Sequence, residues 1–149
     1  MNKENILKSL RINYTVAFVA TLIIIAAFEC GFIEKGALAN IISSTMFYAL
    51  QVAVIMLTVI LIPIAIKGFT NSMTKVKDMD SDNALKLYCK KSLQRIFLLF
   101  IVIVINEFAY YGMGYEGSLY CGLFGFGSMI YSFPTKMVME EFLQGKTEK

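Results

Sequence analysis

Glu107 is the residue whose type and position most invite chemistry. It interrupts the apolar stretch 96–111, has Asn106 beside it, and is followed within one helical turn by the phenols of Tyr110 and Tyr111. A second carboxylate, Glu29, lies near the end of an earlier apolar stretch. A carboxylate facing lipid near the middle of a bilayer costs about 2.5–3.5 kcal/mol on insertion scales. Glu107 should therefore face protein, protonated or hydrogen-bonded. Glu29 and Glu107 would both lie in the outer half of a membrane domain, where they could share one proton-coupled or cation-binding pocket. Asn106, Tyr110 and Tyr111 would supply further polar groups, and Tyr14 another hydroxyl, although it starts from the opposite side. The plainer reading is that the carboxyls clamp helices together by hydrogen bonds, or that Glu29 reaches the outer interface.

Other chemistry finds little footing. Histidine is absent, which removes imidazole base catalysis, His-ligated zinc and His-ligated haem. The three cysteines, Cys30, Cys89 and Cys121, form no C-x-x-C pair. A bridge between Cys30 and Cys121 is geometrically open, and packing as small apolar groups is the simpler fate. Gly112-Met113-Gly114-Tyr115-Glu116-Gly117 spells G-x-G-x-x-G, but a dinucleotide site needs a βαβ unit around it, and here the glycines join two apolar segments. Asp78-Met79-Asp80-Ser81-Asp82 imitates the start of a calcium loop, yet Asn83 stands where glycine is needed and Cys89 where glutamate is needed. Capping of a following helix explains it better. An intramembrane hydrolase would have only the two glutamates to work with, since no lysine lies inside an apolar segment. The expectation is a protein that is not an enzyme, with no metal and no cofactor.

The elements that must position these residues are read from uncharged runs. None of Asp, Glu, Lys or Arg occurs in 12–28, 36–66, 96–106 or 117–135. A bilayer crossing needs roughly 20 mostly apolar residues, which predicts four spans at 12–33, 40–66, 95–113 and 117–137. The chain is 57% hydrophobic, well above a soluble domain. Of its 14 basic residues only Lys35 falls in a loop on the opposite side from the rest. The positive-inside rule then puts both termini and the 68–94 connection in the cytoplasm. The predicted fold is all-α: a four-transmembrane-helix bundle in one membrane domain, 1–149, built from two antiparallel hairpins joined through short outer loops at 34–39 and 112–116. A helix is expected from about Asp82 running into the third span, with 70–79 frayed and no folded extramembrane domain. Ala37-Leu38-Ala39 before Asn40 resembles a signal-peptidase site, but the long charged approach from Glu29 argues against cleavage.

Ser118, Gly122, Gly125 and Ser132, with Met129 continuing the stripe, make a small-residue face on which another helix backbone can approach closely. Packing within the bundle is favoured over a dimer interface. Ala17, Ala20, Thr21, Ala27 and Gly31 suggest a second such face in the first span. Pro63 and Pro134 lie near the basic ends of their spans, where a terminal break is expected and a kink would free a carbonyl. The basic residues of 68–94 could attract anionic lipid head groups, but topology alone already requires them, and no nucleic-acid motif accompanies them.

Leu10-Arg11-Ile12-Asn13-Tyr14, Glu29 with Gly36-Ala37-Leu38-Ala39, Ile62-Pro63 followed by Lys67, Ala84-Leu85, Tyr88, Arg95, Tyr110-Tyr111, Cys121 and Pro134 together form a diffuse pattern over most of the chain. It resembles small four-span inner-membrane proteins of Bacteroides-type bacteria. The resemblance implies a bacterial inner membrane and no defined activity. The leading functional expectation is a non-enzymatic membrane protein acting through helix packing, as a homo-oligomer or as an accessory subunit of an unidentified membrane partner. The alternative is a small transporter, channel or ligand-binding bundle that uses the intramembrane carboxylates.

Overall fold

The structure is a computed structural model that describes residues 3–36, 39 and 41–144, without the side chains of 77 and 78. Most of the Ala37-Leu38-Ala39-Asn40 motif, the basic residues Lys146 and Lys149, and the side chains of Lys77 and Asp78 lie outside the described residues. Among the described residues all regular secondary structure is helical, without strands. It comprises α1 (Lys3–Glu29), α2 (Ser44–Thr74), a 3-10 turn (Lys75–Asp78), α3 (Ser81–Met113), α4 (Glu116–Tyr131) and α5 (Lys136–Gln144).

Three of these helices, α1, α2 and α3, are long and apolar enough to cross a membrane. At 1.5 Å per residue they measure about 40, 46 and 50 Å, more than the roughly 30 Å of a hydrocarbon core. Large apolar side chains such as Val16, Ile23, Val59, Phe97 and Phe124 stand more than 60% exposed. Such exposure accords with helices long and apolar enough to cross a membrane.

Boundaries differ from the hydropathy reading where local backbone chemistry intervenes. α1 stops at Glu29 rather than 33. Gly31 takes the left-handed conformation at φ 77°, the Phe32 N–H reaches the Ala27 carbonyl at 3.0 Å, and the Gly31 N–H reaches Phe28 at 3.2 Å. This is a Schellman motif, which closes a helix wherever glycine can turn it. α2 begins at Ser44 rather than 40 and runs on through the expected frayed segment to Thr74. Pro63 does not end it. Ala65, Phe69 and Met73 beyond the proline are all buried, and this packing holds the helix together across the missing donor. α3 begins at Ser81 with Asp80 in the N-cap position, in extended conformation but without a side-chain cap bond, and continues unbroken to Met113.

The fourth segment departs most from expectation. Instead of one span over 117–137, α4 ends at Tyr131 and α5 starts at Lys136. Pro134 accounts for the break: it has no N–H, and it disfavours helical geometry at Phe133. At 16 residues, α4 is shorter than a self-sufficient crossing helix.

Helix pairing also differs from two hairpins side by side. α3 is the hub, and α1, α2 and α4 each pack against it, while α1 and α2 scarcely approach one another. The connection over 30–43 is longer than the six residues expected, so it imposes no neighbour relation. α3 carries the most continuous buried face, from Ala84 and Leu85 through Leu99 and Ile103 to Ala109 and Met113.

The basic ends of the helices meet in a packed cap. Ile6 and Leu10 of α1, Phe69 and Met73 of α2, Leu85 and Tyr88 of α3, and Met139 and Phe142 of α5 form one buried cluster. Phe69, Tyr88 and Phe142 lie with ring centroids 5.1–6.1 Å apart. α5 packs over α2 and α3 at this end.

Candidate functional site

Glu107 and Asn106 occupy adjacent positions on α3, about 100° apart around its axis, and both are buried. Asn106 Nδ2 donates to Thr58 Oγ1 on α2 at 2.8 Å and to the Val102 carbonyl at 2.8 Å. Thr58 Oγ1 in turn donates to the Val54 carbonyl at 3.0 Å. The polar clamp between helices is thus made by Asn106 with Thr58, a residue that sequence reasoning passed over. The signal available was the Thr58 hydroxyl, the only one after Tyr48 in the long uncharged run 36–66.

Glu107 makes no such clamp. It is 6% exposed, and neither carboxylate oxygen has a hydrogen-bond partner among the described residues. The same is true of Asn106 Oδ1 and of Ser118 Oγ on α4. These residues line one cavity of about 110 Å³ together with Tyr110, Tyr111, Gly122 and the apolar Ile25, Leu119, Leu123 and Phe126. Glu107, Tyr110 and Tyr111 share a face of α3 at i, i+3 and i+4, and Ser118 and Gly122 face them from α4 at i and i+4. Gly122 keeps the space open: a Cβ there would stand 3.6 Å from that of Asn106. A cavity this size holds a few waters or one small polar ligand.

Glu29 does not line this cavity. It is exposed and pairs with Lys35 Nζ at 2.9 Å. Lys35 also lies 5.4 Å from the ring centroid of Tyr111, on which Phe28 stacks at 4.7 Å. A second, more superficial depression of about 400 Å³ is lined by Lys35, Gly36, Tyr110, Tyr111, Gly114 and Glu116. Tyr110 and Tyr111 therefore stand between the Glu107 cavity and the surface near Glu29. Tyr14 is elsewhere, in the mid-bundle cluster with Ala65, Leu99 and Met129.

The small-residue face of α4 is buried against α3. Ser118, Gly122, Gly125, Met129 and Ser132 are all covered, and a Cβ on Gly125 would meet Ile103 Cγ1 at 2.9 Å. On α1, Thr21 is fully buried, while Gly31 lies outside the helix and is exposed. Cys30, Cys89 and Cys121 are free thiols. The G-x-G-x-x-G match is the α3–α4 turn: Gly114 adopts φ 70° and donates to the Tyr110 carbonyl at 2.9 Å, and a Cβ on Gly117 would strike the Tyr115 ring.

A second polar construction lies at the basic end. Arg95, 5% exposed, donates through a terminal nitrogen to the Ser132 carbonyl at 2.9 Å and stacks 3.9 Å from the Phe69 ring centroid. Arg11 donates to the Pro134 carbonyl at 3.2 Å. Two guanidinium groups thus satisfy carbonyls freed where α4 breaks, at the negative end of its dipole. The clue in the sequence was the register of Arg95, which shares a helical face with Leu99 and Asn106.

No family model matches the chain, and comparison with curated proteins and with solved structures finds no match.

Proposed function

We propose that this chain is a four-span inner-membrane protein, with both termini cytoplasmic, that binds a small monovalent cation in the pocket between α3 and α4. The fourth crossing is supported by registration along α3. Gly122 lies against Asn106, Gly125 against Ile103, and the Ser132 carbonyl against Arg95. A segment held beside a spanning helix from Met113 down to Arg95, about 27 Å of rise, crosses the same slab. The cytoplasmic assignment rests on the basic residues gathered at the capped end, and the bacterial inner membrane on the sequence resemblance.

The single observation behind the ligand reading is the buried, unpartnered Glu107 carboxylate in a cavity that also holds Asn106 Oδ1 and Ser118 Oγ. A buried carboxylate in membrane is costly unless something satisfies it. The polar groups aimed at the cavity are all oxygens, the ligand type that hard cations and protonated amines prefer. One carboxylate balances one positive charge, which points to sodium, ammonium or a small primary amine. The stripe that motivated an oligomer is occupied by α3 within the protomer, and this shifts weight from the accessory-subunit reading to the binding reading.

Glu107→Gln tests it in purified, detergent-solubilised protein, by thermal unfolding in sodium, ammonium, methylammonium or choline chloride. The wild type should gain several degrees from at least one of the small cations over choline. That gain should fade as pH falls and the carboxylate takes up a proton. Glu107→Gln should fold, elute as the wild type does and lose the gain. A variant that falls apart would restore the clamp role, and one that keeps the cation response would remove Glu107 from any site.

Topology is checked separately with a membrane-impermeant maleimide on single-cysteine variants. Cys30 should react from the periplasmic face, and Cys89 only in inverted vesicles. Labelling of Cys89 from outside would reverse the orientation.

A further inference from the structure

A groove lies at the basic end of α1, away from the Glu107 pocket. Its volume is about 420 Å³, and its walls include Glu4, Lys8, Arg11, Ile12 and Val16 of α1 and Lys136 at the start of α5. Three cations face one carboxylate there. The groove is graded along the helix: Glu4, Lys8, Ile12 and Val16 follow at i+4 intervals on one face of α1, so its charged floor gives way to apolar wall within two turns. The uncharged run of α1 begins at Ile12. Lys8 and Arg11 therefore fall at head-group depth, and Ile12 and Val16, both more than half exposed, at the depth of the first acyl carbons.

Arg11 is held in this groove rather than loose in solvent. Its Nε donates to the Pro134 carbonyl at 3.2 Å and its guanidinium lies 5.9 Å from the Phe133 ring centroid. That fixes the α4–α5 break beside α1 and brings Lys136 into the groove two residues later. Thr135 Oγ1 accepts from the Val138 N–H at 3.2 Å, which caps the first turn of α5 and steadies Lys136.

We infer that this groove is a binding site for an anionic phospholipid of the cytoplasmic leaflet. Lys8, Arg11 and Lys136 take the phosphate and head group, while one acyl chain lies along Ile12 and Val16. The recognition chemistry is bidentate and point-charge pairing to phosphate, continued by apolar contact, so a phosphate without chains satisfies only half of it. The inference rests on the membrane reading above and is independent of Glu107.

The test uses the full-length protein in a neutral detergent, titrated with phosphatidylglycerol, phosphatidylcholine or glycerol phosphate, with thermal unfolding and native mass spectrometry as readouts. Phosphatidylglycerol should raise the midpoint and be retained as one bound molecule, whereas the other two should do neither. Lys8→Gln/Lys136→Gln, both at exposed positions, should weaken the apparent affinity at least fivefold. Lys86→Gln/Lys90→Gln, a charge-matched pair on α3, should leave it within a factor of two. Equal losses in the two pairs would reduce the effect to the general positive charge of that end and overturn the site. Stabilisation by glycerol phosphate alone would make the ligand a free phosphate and overturn the lipid assignment. If the lysine pair failed to fold, Val16→Ser would serve in its place, with the same loss for phosphatidylglycerol expected. Protein that stayed in solution without detergent would defeat the membrane reading itself, an outcome distinct from a missing lipid response in detergent.

Discussion

Arg95→Ala should destabilise the protein by about 3 kcal/mol, measured as reversible unfolding in mixed micelles. A hydrogen bond from a charged donor contributes about 1.5–3 kcal/mol, and a desolvated cation on an aromatic face about 2 kcal/mol. One side chain makes both contacts, to the Ser132 carbonyl and to the Phe69 ring. The two do not simply add, because removing the guanidinium also removes the cost of burying it. What remains is an unpartnered carbonyl at the end of α4 and a void in the cap. Arg95→Lys should recover little, since an ammonium cannot both stack flat on the ring and reach the carbonyl. Phe69→Leu combined with Arg95→Ala should show coupling of about 1 kcal/mol or more, separating the stacking contact from general disruption. An alanine variant within about 0.5 kcal/mol of wild type would show that the clasp carries no net stability.

Gly125→Leu should be as damaging, again by about 3 kcal/mol, and for a different reason. The α3–α4 interface leaves no room at this glycine, where even a Cβ would meet Ile103 Cγ1 at 2.9 Å and Val102 Cγ1 at 3.4 Å. Overpacking of this kind typically costs about 1–3 kcal/mol, and here a full leucine must drive two helices apart. Gly125→Ala should cost about 1 kcal/mol, because the two neighbouring side chains can yield by a few tenths of an ångström. Gly122→Ala should be neutral or stabilising by up to about 1 kcal/mol, since its Cβ would meet Asn106 at an ordinary 3.6 Å and alanine favours the helix. Two glycines three residues apart on one face would then respond with opposite sign. Equal tolerance at both would mean that α3 and α4 are not in close contact, and would undermine the pocket they enclose.

Much of the candidate site was legible before any fold was known. Glu107, Asn106, Tyr110 and Tyr111 stand out because polar groups in a long apolar run must find a reason to be there, and all four line one cavity. The α4 stripe was legible because small residues at helical spacing leave a groove that only another backbone fills. Glu29 did not join the site. Its depth along α1 suggested proximity, but depth says nothing of azimuth, and Lys35 draws its carboxylate to the surface. Thr58 and Arg95 were missed because their partners come from other helices: a hydroxyl and a cation acquire meaning only once Asn106 and the α4 carbonyls are brought to them.

Composition and charge order alone determined that the chain is helical, that it has segments of membrane-crossing length, and that its basic residues other than Lys35 belong at one end. These properties depend on the solvent and on local hydrogen bonding, which each segment meets independently of the others. Only the tertiary structure decided that α3 is the hub, that Pro63 does not end its helix, that the helices continue into a packed cap, and that Asn106 bonds across to Thr58 while both Glu107 oxygens lack a partner among the described residues. Each of those outcomes turns on which helix faces which, a relation between side chains distant in sequence that no periodicity along a single segment can express.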